Sequence, residues 1–317
     1  MMVEWPSSSA VVDALWSWKA SVVYGYVAWA LFVHLRGRER HRFHKQLTDH
    51  STFVAPYNAF MYGLSAVPNQ PYIDVAGFPE LKPLQDNWRA IRDEALKLFD
   101  EGHIRAAAKY NDLGFNSFFR RGWKRFYLKW YDAPVPSAVA LCPNTVALVQ
   151  SIPTINGAMF AMLPAGGDLG RHRDPFAGSL RYHLGLVTPG DDRCWIEVDG
   201  QRYSWRDGEA VMFDETFIHR AANETDHDRI ILFCDVERPL RFGFMRAFNR
   251  WFAKSVIAAG ASPNMEGDKT GALNRMFGAV YRVKLKTKHI RKTRKKLYYT
   301  IKFSLIAIIL ALILWPW

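Results

Sequence analysis

The sequence predicts a mainly β core with flanking helices and membrane segments near both termini. From Phe160 to Val236, short segments alternate with turn signals about every ten residues, which is typical of an antiparallel sandwich or barrel. The Asp199-Gly200 pair lies between alternating residues and predicts a two-residue hairpin. The run "DRIILFCDV" has the length and apolar character of a buried strand.

Regions outside this β core differ in composition. From Pro79 to Arg105, apolar residues recur at spacings of three and four, which predicts an amphipathic helix. From Asn111 to Pro143, aromatic residues are frequent but follow no clean period. This stretch is therefore either a lid or part of a layer that covers the core. We expect four regions: an N-terminal membrane-associated segment with a basic flank (1–50), a catalytic domain (51–240), a helical basic membrane-proximal region (241–302) and a C-terminal membrane anchor (303–317).

Charge and cysteine content narrow the classes of function. The formal net charge is +12, and no acidic residue follows Asp268, which suggests a polyanionic partner such as nucleic acid or an anionic lipid surface. The three cysteines have no close spacing, so the sequence predicts neither a disulfide framework nor a zinc site and favours a reducing compartment. The sequence contains no glycine-rich phosphate loop and no GxSxG motif.

Both terminal regions combine apolar runs with basic flanks. Residues 303–317 are apolar throughout and follow a segment with ten Lys and Arg, which predicts a membrane anchor, with a C-terminal core helix as the alternative. Residues 20–35 are largely apolar and are followed by alternating arginines, so we expect membrane association there also. Positive charge lies on the cytoplasmic side of membrane proteins, which predicts a cytoplasmic central region. A basic run beside an anchor favours lipid contact, so we expect no nucleic-acid partner.

The segment "LRYHLGLV", residues 180–187, has a strand-like alternation. Leu180 and every second residue after it share one face, whereas Arg181 and His183 share the other. Arg229 opens a later strand and adds another cation. Cations of this kind bind an organic acid, because a guanidinium pairs with a carboxylate through two parallel hydrogen bonds.

A second group of residues has the spacing of metal ligands. His172 and Asp174 are two residues apart, so in an extended segment they point the same way, and His219 follows a predicted strand at 209–213. Two histidines and one carboxylate form the facial triad of non-haem Fe(II) oxygenases, which leaves coordination positions open. A single histidine is usually a surface or core residue, and H-x-D alone is a weak pattern. Its occurrence together with R-x-H, a later His and a further Arg is much more specific.

Three stretches carry a resemblance to a known family: "HRDPFAGSLRYHLGL", "EVDGQRYSWRDGEAVMFDETFIHRAANETD" and "RIILFCDVERPL". They resemble the aspartyl/asparaginyl β-hydroxylase superfamily, and within it the membrane-bound lipid A 2-hydroxylases of Gram-negative bacteria. The resemblance covers about Pro56 to Leu240. It implies a double-stranded β-helix (jelly-roll, cupin-like) core that uses Fe(II), 2-oxoglutarate and O2. The residues at the family's site positions are His172, Asp174 and His219 for the metal, and Arg181, His183 and Arg229 for 2-oxoglutarate.

One position departs from the pattern of some family members. Ala161 stands where these members have a small polar residue that assists the cosubstrate. We therefore expect Arg229 to hold the distal carboxylate with less help.

The resemblance also implies a substrate and a location. It implies hydroxylation at C2 of a secondary fatty acyl group of lipid A, an anionic lipid, by a catalytic domain on the cytoplasmic side of the bacterial inner membrane. Hydroxylation of an ornithine lipid, or of Asp or Asn side chains in proteins by a membrane-tethered enzyme, remain alternatives. A non-catalytic metal- or lipid-binding jelly roll is disfavoured by the intact set of candidate ligands.

Overall fold

Two antiparallel β-sheets form the core in the computed structural model, which describes residues 16–47, 49–105, 112, 114–131 and 133–314. The strands are β1 (Tyr72–Ile73), β2 (Lys124–Trp130), β3 (Ala133–Pro134), β4 (Ile155–Leu163), β5 (Asp168–His172), β6 (Ser179–Val187), β7 (Cys194–Val198), β8 (Gln201–Ser204), β9 (Ala210–Phe213), β10 (His219–Asn223) and β11 (Arg229–Glu237).

The order of the strands is that of a double-stranded β-helix. One sheet has seven strands in the order β1-β9-β6-β11-β4-β2-β3, and the other has four in the order β5-β10-β7-β8. From β4 to β11 the chain passes back and forth between the two sheets, with the β7–β8 hairpin as the only consecutive pair within one sheet. Asp199 and Gly200 both have positive φ, at 51° and 83°, so the hairpin has the turn that its sequence predicts.

The alternation in β6 separates two buried layers. Leu180, Tyr182 and Leu184 pack in a core cluster between the seven-stranded sheet and its covering helices. Arg181 and His183 lie on the opposite face, which points toward the four-stranded sheet and lines the cavity between the sheets. The two faces predicted from the sequence are therefore confirmed.

Helices cover the sheets on the outside. They are α1 (Trp18–Leu35), α2 (Phe43–Gln46), α3 (His50–Phe53), α4 (Ala55–Gly63), α5 (Lys82–Asp86), α6 (Trp88–Asp100), α7 (Asn116–Phe119), α8 (Pro136–Leu141), α9 (Pro143–Gln150), α10 (Gly243–Phe252), α11 (Ala272–Thr293) and α12 (Lys295–Leu314). The single helix predicted over 79–105 is divided at Asn87 into α5 and α6. Helix α6 ends at Asp100, two residues before Gly102, whose φ of 71° is incompatible with a continuing helix.

The helices near the termini do not meet the requirements for a membrane span. In the described part of the chain, no helix is both long and apolar enough to cross a bilayer. An 18-residue helix such as α1 extends roughly 27 Å. This is shorter than the hydrocarbon core of a bilayer, which is about 30 Å thick. The terminal membrane segments predicted at 20–35 and 303–317 are therefore not supported, and residues 315–317 lie outside the described part.

Candidate functional site

Two neighbouring strands of the four-stranded sheet bring the H-x-D motif and the later histidine together. His172 ends β5 and His219 begins β10, and the two residues are directly paired across the antiparallel ladder. Their ring centroids are 4.2 Å apart, and His172 Nε2 is 4.0 Å from Asp174 Oδ1. Ligand atoms of His172, Asp174 and His219 all lie within 4.8 Å of one another, so these side chains could hold one metal ion.

Backbone carbonyls orient both imidazoles. His172 Nδ1 is 2.7 Å from the Gly170 carbonyl oxygen, and His219 Nδ1 is 3.0 Å from that of Phe217. A proton on each Nδ1 donates to the carbonyl, which leaves each Nε2 lone pair available. This is the arrangement in which metal-binding histidines are usually held.

The protonation states also suit a metal. Burial, together with the neighbouring His219, lowers the pKa of His172 to about 3, and burial lowers the pKa of His219. Burial alone would raise the pKa of Asp174, but the Arg181 guanidinium lowers it to about 2. Near neutral pH the site therefore offers two neutral imidazoles and a carboxylate, the forms that bind divalent metals.

Arg181 lines the cavity on the predicted face of β6, where two carboxylates also pair with it. Its Nη2 donates to Asp174 Oδ2 at 2.8 Å, and its Nε donates to Asp235 Oδ1 at 2.9 Å. Arg181 therefore connects a candidate metal ligand to the seven-stranded sheet. A direct contact between Arg181 and an organic acid would use its remaining N–H groups, on Nη1 and Nη2.

Two buried acids behind the candidate ligands were missed by the sequence reasoning. Asp235 accepts hydrogen bonds from Arg181 and from the Tyr131 hydroxyl. The Glu215 carbonyl accepts from the Asp174 N–H at 2.9 Å, and burial raises the pKa of the Glu215 carboxyl to about 8. The only signal in the sequence was an acidic residue at an otherwise apolar strand position in "DRIILFCDV".

Arg229 and His183 lie in the same cavity and have no polar partners in the part of the chain that the structure describes. Arg229 is 2% exposed and forms no ion pair with any described residue, and burial lowers its pKa to about 10. Neither ring nitrogen of His183 has a hydrogen-bond partner among the described residues. Burial, together with Arg181, lowers the pKa of His183 well below its ordinary value, so its imidazole is neutral. A buried cation without a counter-charge is costly, so Arg229 is suited to an anionic ligand.

The remaining wall of the cavity is apolar. The cavity comprises about 480 Å³ of space that is partly open to solvent, and it contains the metal-ligand candidates, the two basic side chains on β6 and Arg229. Phe115, Phe118, Trp123 and Leu169 line it beside His172, and the Phe118 ring centroid is 4.7 Å from that of His172. Part of the aromatic-rich stretch that follows Asn111 therefore contributes to the wall of the site.

Fold and site together define a jelly-roll protein with a candidate His-Asp-His metal centre and a neighbouring anion pocket, a combination typical of oxygen-dependent hydroxylases. The family described as Aspartyl/Asparaginyl beta-hydroxylase matches residues 85–239. This match confirms the predicted resemblance to a family of hydroxylases.

Several known proteins are similar to parts of this chain. An ornithine lipid ester-linked acyl 2-hydroxylase from Rhizobium tropici is 37% identical over 176 residues, covering 55% of this chain and 62% of the relative. The human aspartyl/asparaginyl beta-hydroxylase is 27% identical over 195 residues, covering 59% of this chain and 25% of the relative. The chain thus spans less than two thirds of the length of either relative. A Pseudomonas putida prolyl-4-hydroxylase structure overlays on 48% of this chain and 87% of its own, with a TM-score of 0.34 and 19% identity.

Proposed function

We propose that this protein is an Fe(II)- and 2-oxoglutarate-dependent dioxygenase that hydroxylates a fatty acyl chain of a membrane lipid. The observation that carries the proposal is the common cavity of the His172, Asp174 and His219 side chains, the unpaired Arg229 and an apolar wall. A metal centre beside a buried cation can bind a cosubstrate that is an acid. An apolar wall beside the metal centre can hold an apolar substrate whose C–H bond is unactivated.

Each residue has a role that follows from its position. His172, Asp174 and His219 would hold Fe(II), which with 2-oxoglutarate and O2 supplies the oxidising power for C–H hydroxylation and releases succinate and CO2. Arg229 and His183 bind the cosubstrate, as the resemblance implies. Arg181 keeps Asp174 ionised and oriented through their ion pair. Arg181 contacts the cosubstrate while it stays paired with Asp174.

The wall beside His172 favours an acyl chain over a polar peptide side chain. An Asp or Asn substrate requires polar partners near the metal, whereas Phe118 and Leu169 offer none. An acyl chain contacts these side chains favourably because its burial removes apolar surface from water. The R. tropici relative is named for an ester-linked acyl 2-hydroxylation, so C2 of an acyl chain is the position we propose, on a lipid A-type or an ornithine lipid.

Exposed apolar side chains on three adjacent helices suit such a substrate. We call this surface the apolar face and define it by Trp18, Val22 and Trp29 of α1, Phe60 of α4, and Phe244, Phe248 and Trp251 of α10. The Trp29 and Phe60 rings are 5.7 Å apart, and Tyr57 of α4 is 6.0 Å from Phe248. A helix that is apolar on all sides is normally buried, whereas Ala20 and Val33 are the only residues of α1 that the fold buries.

We propose that the apolar face lies in the headgroup layer of an anionic bilayer. Trp and Phe side chains suit this layer, and exposed Arg38, Arg40 and Arg42 follow α1. A second copy of the chain is a poorer occupant, because it would bring two sets of arginines together. The cytoplasmic side of the bacterial inner membrane supplies both the anionic lipid and the reducing conditions that suit the buried unpaired cysteines.

Lipid mass spectrometry tests the proposed reaction. The protein and its His219→Ala variant are expressed in a bacterium that makes both lipid A and ornithine lipid. We expect a gain of one oxygen on the acyl chains of one lipid class with the wild type and none with the variant. If no lipid gains oxygen while an Asp or Asn residue of a cellular protein does, the acyl-chain proposal is wrong.

Vesicle sedimentation tests the proposed surface. The triple variant Phe244→Ser, Phe248→Ser, Trp251→Ser should lower partition onto phosphatidylcholine–phosphatidylglycerol vesicles at least about tenfold, because three large side chains lose their burial. Val139→Ser, which removes an apolar side chain that is also exposed (46%) but lies on α8, is the matched control. Equal partition of the wild type and the triple variant would refute the assignment of this face.

A further inference from the structure

Trp205 is a buried donor in the cavity that none of the roles above uses. It follows β8, is 1% exposed and lines the cavity. Its indole Nε1 has no hydrogen-bond partner among the described residues. Buried N–H groups in folded proteins are almost always paired, so an unpaired one on a residue that lines a cavity points to an acceptor bound there.

The neighbours of Trp205 indicate the charge of that acceptor. The Arg229 guanidinium carbon lies 4.3 Å from the centre of the Trp205 ring, so the ring faces the guanidinium and limits its motion. His183, whose ring nitrogens are also unpaired, has its ring centroid 6.0 Å from that of Trp205. Three groups from different strands therefore converge on one part of the cavity, each with an unused polar atom and one with an unbalanced positive charge.

A carboxylate satisfies these groups together. Water or another neutral acceptor would pair with the indole N–H but would leave the guanidinium charge unbalanced. A carboxylate has two oxygens with about four acceptor sites, so it can accept from the guanidinium and from a further N–H at the same time. The candidate metal ligands lie on or beside β5 and β10 and Arg229 begins β11. All of them line one cavity, so a dicarboxylic acid can extend from the metal ligands to Arg229.

We infer that the indole N–H of Trp205 donates a hydrogen bond to the cosubstrate carboxylate that Arg229 binds, and that the Trp205 ring positions the guanidinium. This inference rests on the proposed use of 2-oxoglutarate. It adds a binding residue from the four-stranded-sheet side of the cavity to Arg229 and His183 of the seven-stranded sheet.

Equilibrium dialysis of 2-oxoglutarate against the Zn(II)-loaded full chain tests the inference without turnover. Trp205→Phe keeps the aromatic ring and removes only the N–H donor. We expect its Kd for 2-oxoglutarate to rise roughly ten- to a hundredfold, as for the loss of a hydrogen bond to a charged group. Trp195→Phe is the matched control, because Trp195 faces Arg202 on the outer side of the same sheet, and its Kd should equal that of the wild type.

The outcomes separate this inference from the function on which it rests. If the wild type binds 2-oxoglutarate and Trp205→Phe binds it equally well, the role of Trp205 is refuted and the proposed function stands. If the wild type binds no 2-oxoglutarate, both are refuted.

A measurement on the wild type covers the case in which Trp205→Phe does not fold. In ¹⁵N-labelled, Zn(II)-loaded protein, one indole N–H resonance should move downfield on addition of 2-oxoglutarate. Pyruvate has the same keto-acid end but lacks the second carboxylate, so it should leave that resonance in place. Absence of any indole shift with 2-oxoglutarate, or an equal shift with pyruvate, would overturn the assignment.

Discussion

Replacing Asp214 with Asn should destabilise the fold strongly, because the Asp214 carboxylate pairs with two buried arginines. Its Oδ2 accepts from Arg36 Nη2 at 2.6 Å and from Arg238 Nη2 at 2.7 Å. The side chains of Asp214 and Arg238 are each 1% exposed, and that of Arg36 is 3% exposed. These contacts connect the end of α1 to the segments that follow β9 and β11.

The expected magnitude follows from this burial. Removing one partner of a buried ion pair costs about 3–5 kcal/mol, because the remaining charge stays buried without compensation. Asn keeps the shape and one acceptor oxygen, so we expect a value near the lower limit, about 3 kcal/mol. For a domain of this size that corresponds to a fall in Tm of about 6–12 °C.

Chemical and thermal unfolding at several pH values provide the assay. Burial would raise the pKa of Asp214, but Arg238 and Arg36 hold it well below its ordinary value. Its stabilising contribution is therefore complete above the unfolded pKa of about 3.9 and decreases as the pH falls toward the folded pKa. The difference in free energy of unfolding between wild type and variant should be constant from about pH 5 to 8 and should shrink below about pH 4.

A surface pair provides the control. Asp86→Asn removes the exposed i,i+4 pair with Lys82 and should leave the free energy of unfolding unchanged. If Asp214→Asn is as stable as Asp86→Asn near neutral pH, the three side chains are not a structural connection and the reasoning from burial fails.

Further predictions concern the site. His219→Ala should abolish tight Zn(II) or Fe(II) binding in anaerobic titrations while circular dichroism stays native, and wild-type affinity would refute the proposed triad. Arg229→Ala should raise the Kd for 2-oxoglutarate roughly ten- to a hundredfold with metal affinity unchanged, and an unaltered Kd would place the acid elsewhere. Ala161→Ser adds a hydroxyl opposite Ile231, on the face that carries Arg229, and should lower the Kd for 2-oxoglutarate a few-fold in the same dialysis. Phe118→Ala should reduce hydroxylation of lipid more than the uncoupled conversion of 2-oxoglutarate to succinate, and an equal loss of both would mean that Phe118 does not contact the substrate.

Local patterns in the sequence predicted the β core and the positions of its site residues well. The alternation over 180–187 identified which side chains of β6 face the cavity, because a strand has a fixed period of two. The Asp199-Gly200 turn was readable because few residues adopt the positive φ that a tight hairpin needs. The separation of His172 from His219 gave no local signal, and their juxtaposition depends on the pairing of β5 with β10.

Interactions between distant segments could not be read from the sequence. Arg181 was expected to contact an organic acid, but its pairing with Asp235 depends on the register of β6 against β11. Asp235 lies in a run that the sequence predicted only as a buried apolar strand. The apolar run of residues 20–35 predicted a membrane segment, whereas packing of α1 on α4 and the ion pair of Arg36 with Asp214 connect this segment to the β core.

The two sheets carry different parts of the candidate site, and this arrangement has a consequence for how the protein can diversify. Candidate metal ligands lie on or beside the four-stranded sheet, and the basic residues proposed for the cosubstrate lie on the seven-stranded sheet. The aromatic wall at Phe115 and Phe118 belongs to neither sheet, since it comes from the connection between α6 and β2. Substitutions in that connection alter which molecule reaches the metal without changing how the metal or the acid is held. Selection, or a designed library restricted to that connection, can thus change which molecules enter the cavity while the candidate metal ligands and the basic residues stay intact.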